Sequence, residues 1–169
     1  MGLKETLTTG DSVRQVDRTL AAIAPGTPMH KAIPPRLVEP YLTGRRSIIS
    51  GYVYLAADSS FLYPAEFYDA CGLGYEGSDF TPDMDQLYLL RWRTVGTEPL
   101  QVAGQAASMQ WAAAPAAWGA PAHVLAITEF YTEPVPVPVG TEIFRIQSGQ
   151  ADFIARYDGQ VWLSPAEGI

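Results

Sequence analysis

The sequence predicts a single α+β domain, residues 1–169, with a twisted, largely antiparallel sheet and short helices mostly in the N-terminal half. Its 169 residues are a length typical of one domain. Hydrophobic residues make up 47% of the chain, as in a globular protein. Segments with helical spacing lie in the first half, whereas the region 123–163 alternates β-branched, aromatic and polar residues.

The first predicted element is a helix over residues 11–24. Asp11 or Ser12 can cap its N-terminus, and Pro25-Gly26 ends it. Its apolar residues recur at intervals of three and four, which places them on one helical face: Val13, Val16, Leu20 and Ile23.

A short strand at residues 29–33 and a short helix come next. Pro35 suits the first turn of that helix and Gly44 its end, while Pro40 limits its length. This part of the chain therefore predicts a strand that leads directly into a short or kinked helix.

Residues 47–56 predict a longer strand, because they are rich in β-branched and aromatic side chains. Tyr52 and Tyr54 share one of its faces. A short helix at 64–70 and a strand at 86–95 follow. The predicted core face of that last strand carries Tyr88, Leu90, Trp92 and Thr94.

The second half of the chain begins with an Ala- and Pro-rich segment, residues 103–121, which predicts a surface loop with one helical turn. Residues 123–131 predict a strand, and residues 134–139 an extended segment confined to a sheet edge by its prolines. A hairpin turn at 148–150 joins two further strands. The region 123–163 is therefore predicted to be β.

Composition excludes several function classes. The net charge of −7, with sparse cations, argues against a nucleic-acid partner. Two histidines and one cysteine, far apart in the sequence, predict no metal site, and Cys71 alone excludes an internal disulfide. Without an apolar N-terminal segment or a membrane-length apolar run, we expect a soluble, cytoplasmic protein.

An acidic stretch, residues 58–85, lies in a region without Lys or Arg between Ser47 and Leu90. Such a face can steer a cationic protein partner, although a merely solvated surface has the same pattern. Its carboxylates belong to Asp58, Glu66, Asp69, Glu76, Asp79, Asp83 and Asp85.

Familiar catalytic motifs are absent from the sequence. No serine occupies a G-x-S-x-G elbow. Residues 72–77 have the spacing G-x-G-x-x-G, but they follow a predicted helix in an acidic region that would repel a pyrophosphate. Neither a nucleophilic triad nor a phosphate loop is therefore predicted.

The order of polar residues along the predicted strands is more informative. His30 lies on an early strand, Tyr52 and Tyr54 lie on the next, and that strand ends near Ser59. A late strand carries Glu129 or Glu133 before the extended segment 134–139 and the Gly-Thr-x-x-Phe pattern that follows it. This order resembles small ADP-ribosyltransferase domains.

The resemblance implies an enzyme that consumes NAD, with similar domains among transferases and bacterial toxins. Glu133 or Glu129 would stabilise the cation formed when the nicotinamide–ribose bond breaks. His30 and Ser59 would contact the nucleotide, and Tyr52 and Tyr54 the nicotinamide. NAD would be the substrate, and no metal would be needed.

Two questions stay open at this point. Glu133 has the better distance to the Gly-Thr pattern, whereas Glu129 lies better within a strand, and residues four apart on a strand share a face. The second question is the class of protein. The alternative to an enzyme is a non-catalytic, antitoxin- or immunity-type protein whose acidic face, residues 58–85, binds a cationic protein.

Overall fold

The structure, a computed structural model, describes residues 16–20, 23–96, 100–103, 127 and 129–167. Nine strands in these ranges form one sheet in the order β1-β5-β6-β3-β2-β4-β7-β8-β9, and every neighbouring pair is antiparallel. The strands are β1 (Val16–Leu20), β2 (Pro28–Ile33), β3 (Ile48–Leu55), β4 (Gln86–Arg93), β5 (Leu100–Ala103), β6 (Glu129–Pro136), β7 (Glu142–Gln147), β8 (Gln150–Tyr157) and β9 (Trp162–Leu163).

Short helices accompany the sheet. Within the described ranges they are α1 (Val38–Leu42), preceded by a 3-10 turn at Pro35–Leu37, and α2 (Pro64–Ala70), and another 3-10 turn lies at Pro165–Glu167. Both α-helices have a proline at or just before their first turn, where the missing N–H costs nothing. The mixed class, the antiparallel sheet and the position of the α-helices in the first half confirm the coarse fold prediction.

The predicted N-terminal helix over residues 11–24 is wrong where the structure describes it. Val16–Leu20 is a strand, β1, and it pairs with β5. Val16 and Leu20 are four apart in the sequence, a spacing that is compatible with a helix and with a strand. The partner strand lies far along the chain, so no local signal separates the two structures.

The Ala- and Pro-rich loop 103–121 lies outside the described residues except for Ala103, which ends β5. In the region 123–163, residues 129–163 contain β6, β7, β8 and β9. Of the strand predicted over 123–131, only residues 129–131 are described as strand, in β6, while 123–126 and 128 lie outside the described part.

Each face of the sheet carries a buried cluster. On the face that we name the α1 face, Tyr41 of α1 joins a cluster with Met29, Ile33, Ile49, Val53, Leu90, Trp92, Phe130 and Ile143. On the opposite α2 face, Phe67 of α2 joins Ala32, Tyr54, Cys71, Leu73, Phe80, Leu87, Leu89 and Ile146. The two sets alternate along β2, β3, β4 and β7, as side chains on a strand do.

The prediction that only one face of β4 is buried is therefore incomplete. Leu90 and Trp92 are buried as predicted, but Leu87 and Leu89, on the other face, are buried as well. They belong to the cluster that α2 and the following segment cover. Local alternation of polar and apolar residues could not reveal this cover.

The prolines of β6 lie where one side of the strand has no neighbour among the described strands. Pro136 pairs with Ile48 of β3, whereas pairing with β5 ends at Leu100 and Thr132, before Pro134. Proline has no N–H to donate to a sheet neighbour, so it is tolerated there. Within the ranges given above, no helix is both long and apolar enough to cross a bilayer.

Candidate functional site

A row of polar side chains crosses the α2 face at right angles to the strands. In register, Glu129 of β6 lies opposite Tyr54 of β3, and Tyr54 lies opposite His30 of β2. His30 lies opposite Arg91 of β4, which lies opposite Glu142 of β7. Directly opposed residues on antiparallel strands have Cβ atoms about 5 Å apart. Five strands therefore contribute one residue each to what we name the polar row.

Tyr54 holds the carboxylate at one end of this row. Its hydroxyl is 2.9 Å from Oε1 of Glu129 and 2.9 Å from the carbonyl oxygen of Cys71. Only 2% of Tyr54 is exposed, so its ring is fixed by packing. The hydroxyl has one proton, and both neighbours are acceptors when the carboxyl group is ionised. The hydroxyl can therefore donate fully to one of the two at a time, and a bond to Glu129 orients that carboxylate.

Three tyrosines form an aromatic cluster beside Glu129. The rings of Tyr52 and Tyr131 lie edge to face, with their centroids 5.6 Å apart. The centroid of the Tyr75 ring lies 6.4 Å from that of Tyr52. Tyr131 is two residues from Glu129 on β6, so the two share a face. Tyr52 and Tyr131 are half-buried and Tyr75 is 38% exposed. The carboxylate therefore lies next to accessible aromatic surface, which we name the tyrosine cluster.

His30 occupies the middle of the polar row and is held by Ser59. Its Nδ1 lies 3.1 Å from both the carbonyl oxygen and the hydroxyl oxygen of Ser59. Ser59 is fully buried and its hydroxyl donates to the carbonyl of Leu55 at 2.7 Å. Both oxygens near Nδ1 thus act as acceptors, which assigns the proton of the neutral imidazole to Nδ1 and the lone pair to Nε2.

The pKa of His30 is lowered to about 4. Burial of the imidazole is the largest cause, the hydrogen bond to the Ser59 backbone opposes it, and the charge of Arg91 lowers the pKa further. The side chain is therefore neutral at pH 7. In this state His30 offers an acceptor at Nε2 and no positive charge.

The far end of the row is an ion pair. Arg91 donates from Nη2 and Nε to the same oxygen of Glu142, at 2.7 and 3.0 Å. Its guanidinium group also lies over the ring of Phe144, 4.4 Å from the centroid. These contacts hold the Arg91 side chain against Glu142 and Phe144. The end of the row formed by Glu129 and Tyr54 is accordingly the better candidate for chemistry.

Of the residues predicted from the sequence, the structure brings Glu129, Tyr54 and His30 together, with Tyr52 and Ser59 beside them. Glu133 is exposed and lies four residues farther along β6, about 13 Å from Glu129 at the rise of an extended strand.

Sequence reasoning missed Tyr131, Tyr75 and Arg91 as neighbours of these residues. Tyr131 could have been found from its alternation with Glu129, and Arg91 from its position on the face of β4 opposite the predicted core face. Tyr75 lies in the segment after α2 and carries no periodic signal. Among the residues that the structure describes, no group of three or more His, Cys, Asp or Glu side chains is arranged to hold a metal ion.

All seven acidic residues of the stretch 58–85 are exposed. Arg36 pairs with Asp79 through both carboxylate oxygens and lowers the pKa of that carboxyl group, whereas partial burial raises the pKa of Asp69. Leu62 and Tyr63, on the same segment, are also exposed.

No protein-family model, no curated protein and no solved structure matches this chain. The case for a function therefore depends on the site itself.

Proposed function

We propose that this protein consumes NAD⁺, as an ADP-ribosyltransferase or an NAD glycohydrolase, and that Glu129 is its catalytic carboxylate. The observation that carries the proposal is the hydrogen bond between Tyr54 and Glu129, at 2.9 Å, beside the tyrosine cluster. An oriented carboxylate next to aromatic surface suits a planar cation that loses its positive charge during the reaction.

The reaction breaks the bond between the nicotinamide nitrogen and C1′ of the ribose. The bonding electrons leave with nicotinamide, which becomes neutral, and positive charge develops on C1′ and the ring oxygen. The fixed negative charge of Glu129 stabilises this cation. Water or an acceptor nucleophile then bonds to C1′ and releases a proton to solvent.

The tyrosine cluster supplies the ring-binding surface. Nicotinamide in NAD⁺ is flat and positively charged, and aromatic faces attract such a ring through stacking and cation–π interaction. Tyr52 and Tyr131 are half-buried, so each has fixed orientation together with accessible surface. We assign the ring contact to these two residues, with Tyr75 beside them.

Tyr54 and Ser59 take supporting roles in this proposal. Tyr54 is a positioning residue, because its hydroxyl orients Glu129 and its ring is buried. Ser59 is a positioning residue for His30, since it is fully buried and bonded to the imidazole. His30 stays the nucleotide contact, through the Nε2 lone pair, which can accept a hydrogen bond from a ribose hydroxyl.

The test is nicotinamide release from NAD⁺ by the purified protein, with Glu129→Gln and Glu133→Gln as a matched pair. Both changes remove one carboxylate from the same strand. We expect Glu129→Gln to lower the rate by roughly 10²–10³-fold, the usual effect of removing one electrostatic stabiliser of a transition state. Glu133→Gln should leave the rate unchanged, because its side chain is exposed and distant from the polar row.

Thermal unfolding of each variant, with and without NAD⁺, controls for the fold and reports binding separately from turnover. Absence of both nicotinamide release and stabilisation by millimolar NAD⁺ in the wild type would refute the proposal. Loss of activity in Glu133→Gln with full activity in Glu129→Gln would refute the assignment of Glu129.

A second candidate function is supported by the acidic stretch 58–85. Its seven carboxylates are exposed, and Asp79 is bonded to Arg36. We propose, as the alternative, that this face binds a cationic protein. Such a complex should weaken with salt, since exposed charges more than about 10 Å apart are screened at 0.1 M ionic strength. A pull-down at low salt that recovers no cationic protein would count against it.

A further inference from the structure

A small pocket lies at the end of α1, away from the α2 face. Its volume is about 180 Å³. One wall is the turn between α1 and β3, with Thr43, Arg46 and Ser47, and the other is the hairpin of β8 and β9. Gly44 makes the turn possible with a φ of +72°, a value that favours glycine.

The floor of the pocket is apolar, and its far wall combines two aromatic rings and Val161 with the polar Gln160. Val137, which follows β6, is buried, and its N–H donates to the carbonyl of Ser47 at 2.9 Å. The ring centroids of Tyr157 and Trp162 lie 5.3 Å apart. The Trp162 ring also packs edge to face against Tyr41, with a centroid distance of 6.3 Å. The hydroxyl of Tyr157 donates to the carbonyl of Gly159, so this wall offers ring surface.

Arg46 supplies the charge of the pocket. Its Nε donates to the hydroxyl of Tyr41 at 3.0 Å, and its guanidinium carbon lies 5.5 Å from the centroid of that ring. Arg46 is half-buried, and no carboxylate of the described residues forms an ion pair with it. The neighbouring Arg45, in contrast, is exposed and paired with Glu39. Arg46 is therefore held in place with its Nη donors available.

The charge, size and walls of the pocket together select a class of ligand. Among the described residues that line it, Arg46 is the one that carries a charge, and a guanidinium group matches a carboxylate through two parallel hydrogen bonds. A cavity of about 150 Å³ is known to accept a benzene ring, so this volume suits one ring with one substituent. A phosphate would find one cation and would leave the ring surface of Tyr157 and Trp162 without contact.

We propose that this pocket binds a small planar carboxylate, a single aromatic ring bearing one carboxylate group. The carboxylate pairs with Arg46 and accepts from the hydroxyl of Ser47, and the ring packs on Trp162 and Tyr157. The site is separate from the polar row, because these aromatic residues pack against the α1-face cluster. Its test does not depend on NAD turnover.

The probe is benzoate, titrated into the full chain while the indole N–H resonance of Trp162 is followed by NMR; a Trp162→Phe variant assigns that resonance. We expect a saturable shift with a Kd of roughly 1 mM for so small a ligand. Benzyl alcohol, which has the ring without the charge, should bind at least about tenfold more weakly.

Arg45→Gln and Arg46→Gln form the matched pair. We expect Arg46→Gln to weaken benzoate binding about tenfold or more and Arg45→Gln to leave it unchanged. Because Arg46 also supports Tyr41, Val161→Glu serves as a second variant. Val161 is an exposed residue of the pocket wall, so a carboxylate there should compete for Arg46, whereas Val161→Gln should not.

Three results would overturn the proposal: no saturable shift of Trp162 in the wild type, equal loss of binding in Arg45→Gln and Arg46→Gln, or equal binding of benzoate and benzyl alcohol. If Arg46→Gln unfolds, retained binding in Val161→Glu would overturn it in the same way.

Discussion

Acidification below pH 6.5 should destabilise this protein through His30. The imidazole is 7% exposed and its pKa in the folded protein is about 4, against 6.5 for an unperturbed histidine. Between these values the unfolded chain binds a proton that the folded protein does not. The free energy of unfolding therefore falls as the pH drops from 6.5 towards 4, and this contribution is constant above that interval.

The magnitude follows from the same two pKa values. Their full difference corresponds to roughly 3 kcal/mol, of which about 2 kcal/mol is lost between pH 7 and pH 4.5. For a chain of this length, that loss lowers the melting temperature by about 4–8 °C. Carboxylates titrate mostly below this range, so histidine protonation dominates the slope between pH 6.5 and 5, and a His30 variant isolates the part that His30 contributes.

The assay is chemical denaturation at a series of pH values from 7 to 4.5, in the wild type and in His30→Gln. The variant should lack the part of the pH dependence that His30 contributes, whatever its absolute free energy of unfolding. An NMR titration of the wild-type imidazole gives the pKa directly, with His123→Gln to assign the two histidines. A His30 pKa near 6.5, or an equal slope in the variant, would refute the account of the buried imidazole.

Two further predictions concern stability. Ile143→Ala should lower the free energy of unfolding by about 2–5 kcal/mol, because the side chain is fully buried in the α1-face cluster. Val139 is 72% exposed, so Val139→Ala should change that free energy by less than about 0.5 kcal/mol. Denaturant titration measures both changes. Gly96→Ala should destabilise by about 1–3 kcal/mol more than Gly26→Ala. Both glycines have a positive φ, but a Cβ at Gly96 would lie 2.6 Å from Cγ of Pro25 and one at Gly26 would meet nothing within 4 Å. Equal melting temperatures for the two alanine variants would contradict this assignment of the clash.

Local sequence was sufficient for elements whose signals are short-range. The strand at 47–56 and the helix at 64–70 were predicted within two residues of β3 and α2, because β-branched runs and a proline at a first helical turn act locally. β1 was missed because a spacing of four suits both helix and strand, and its partner β5 lies far away in the chain.

The candidate site was predictable in its residue types and not in its arrangement. Alternation on β3 correctly placed Tyr52 and Tyr54 on one face. Which of Glu129 and Glu133 lies opposite Tyr54 depends on the register of β6 against β3, and that register is set by pairing between distant segments. The burial of Ser59 likewise depends on the segment that covers the α2 face, so its support of His30 was not visible in the sequence.

The polar row has a consequence for how this protein folds. Its five members come from strands that are neighbours in the sheet but mostly distant in the chain, so the row exists only after the central strands have paired. A slip of one residue in any strand would turn its member to the opposite face. Sheets built from such distant pairings fold slowly, over milliseconds to seconds. Recovery of the NAD⁺ turnover that we propose for Glu129 should therefore coincide with the last cooperative step of refolding, so that turnover would report complete strand register.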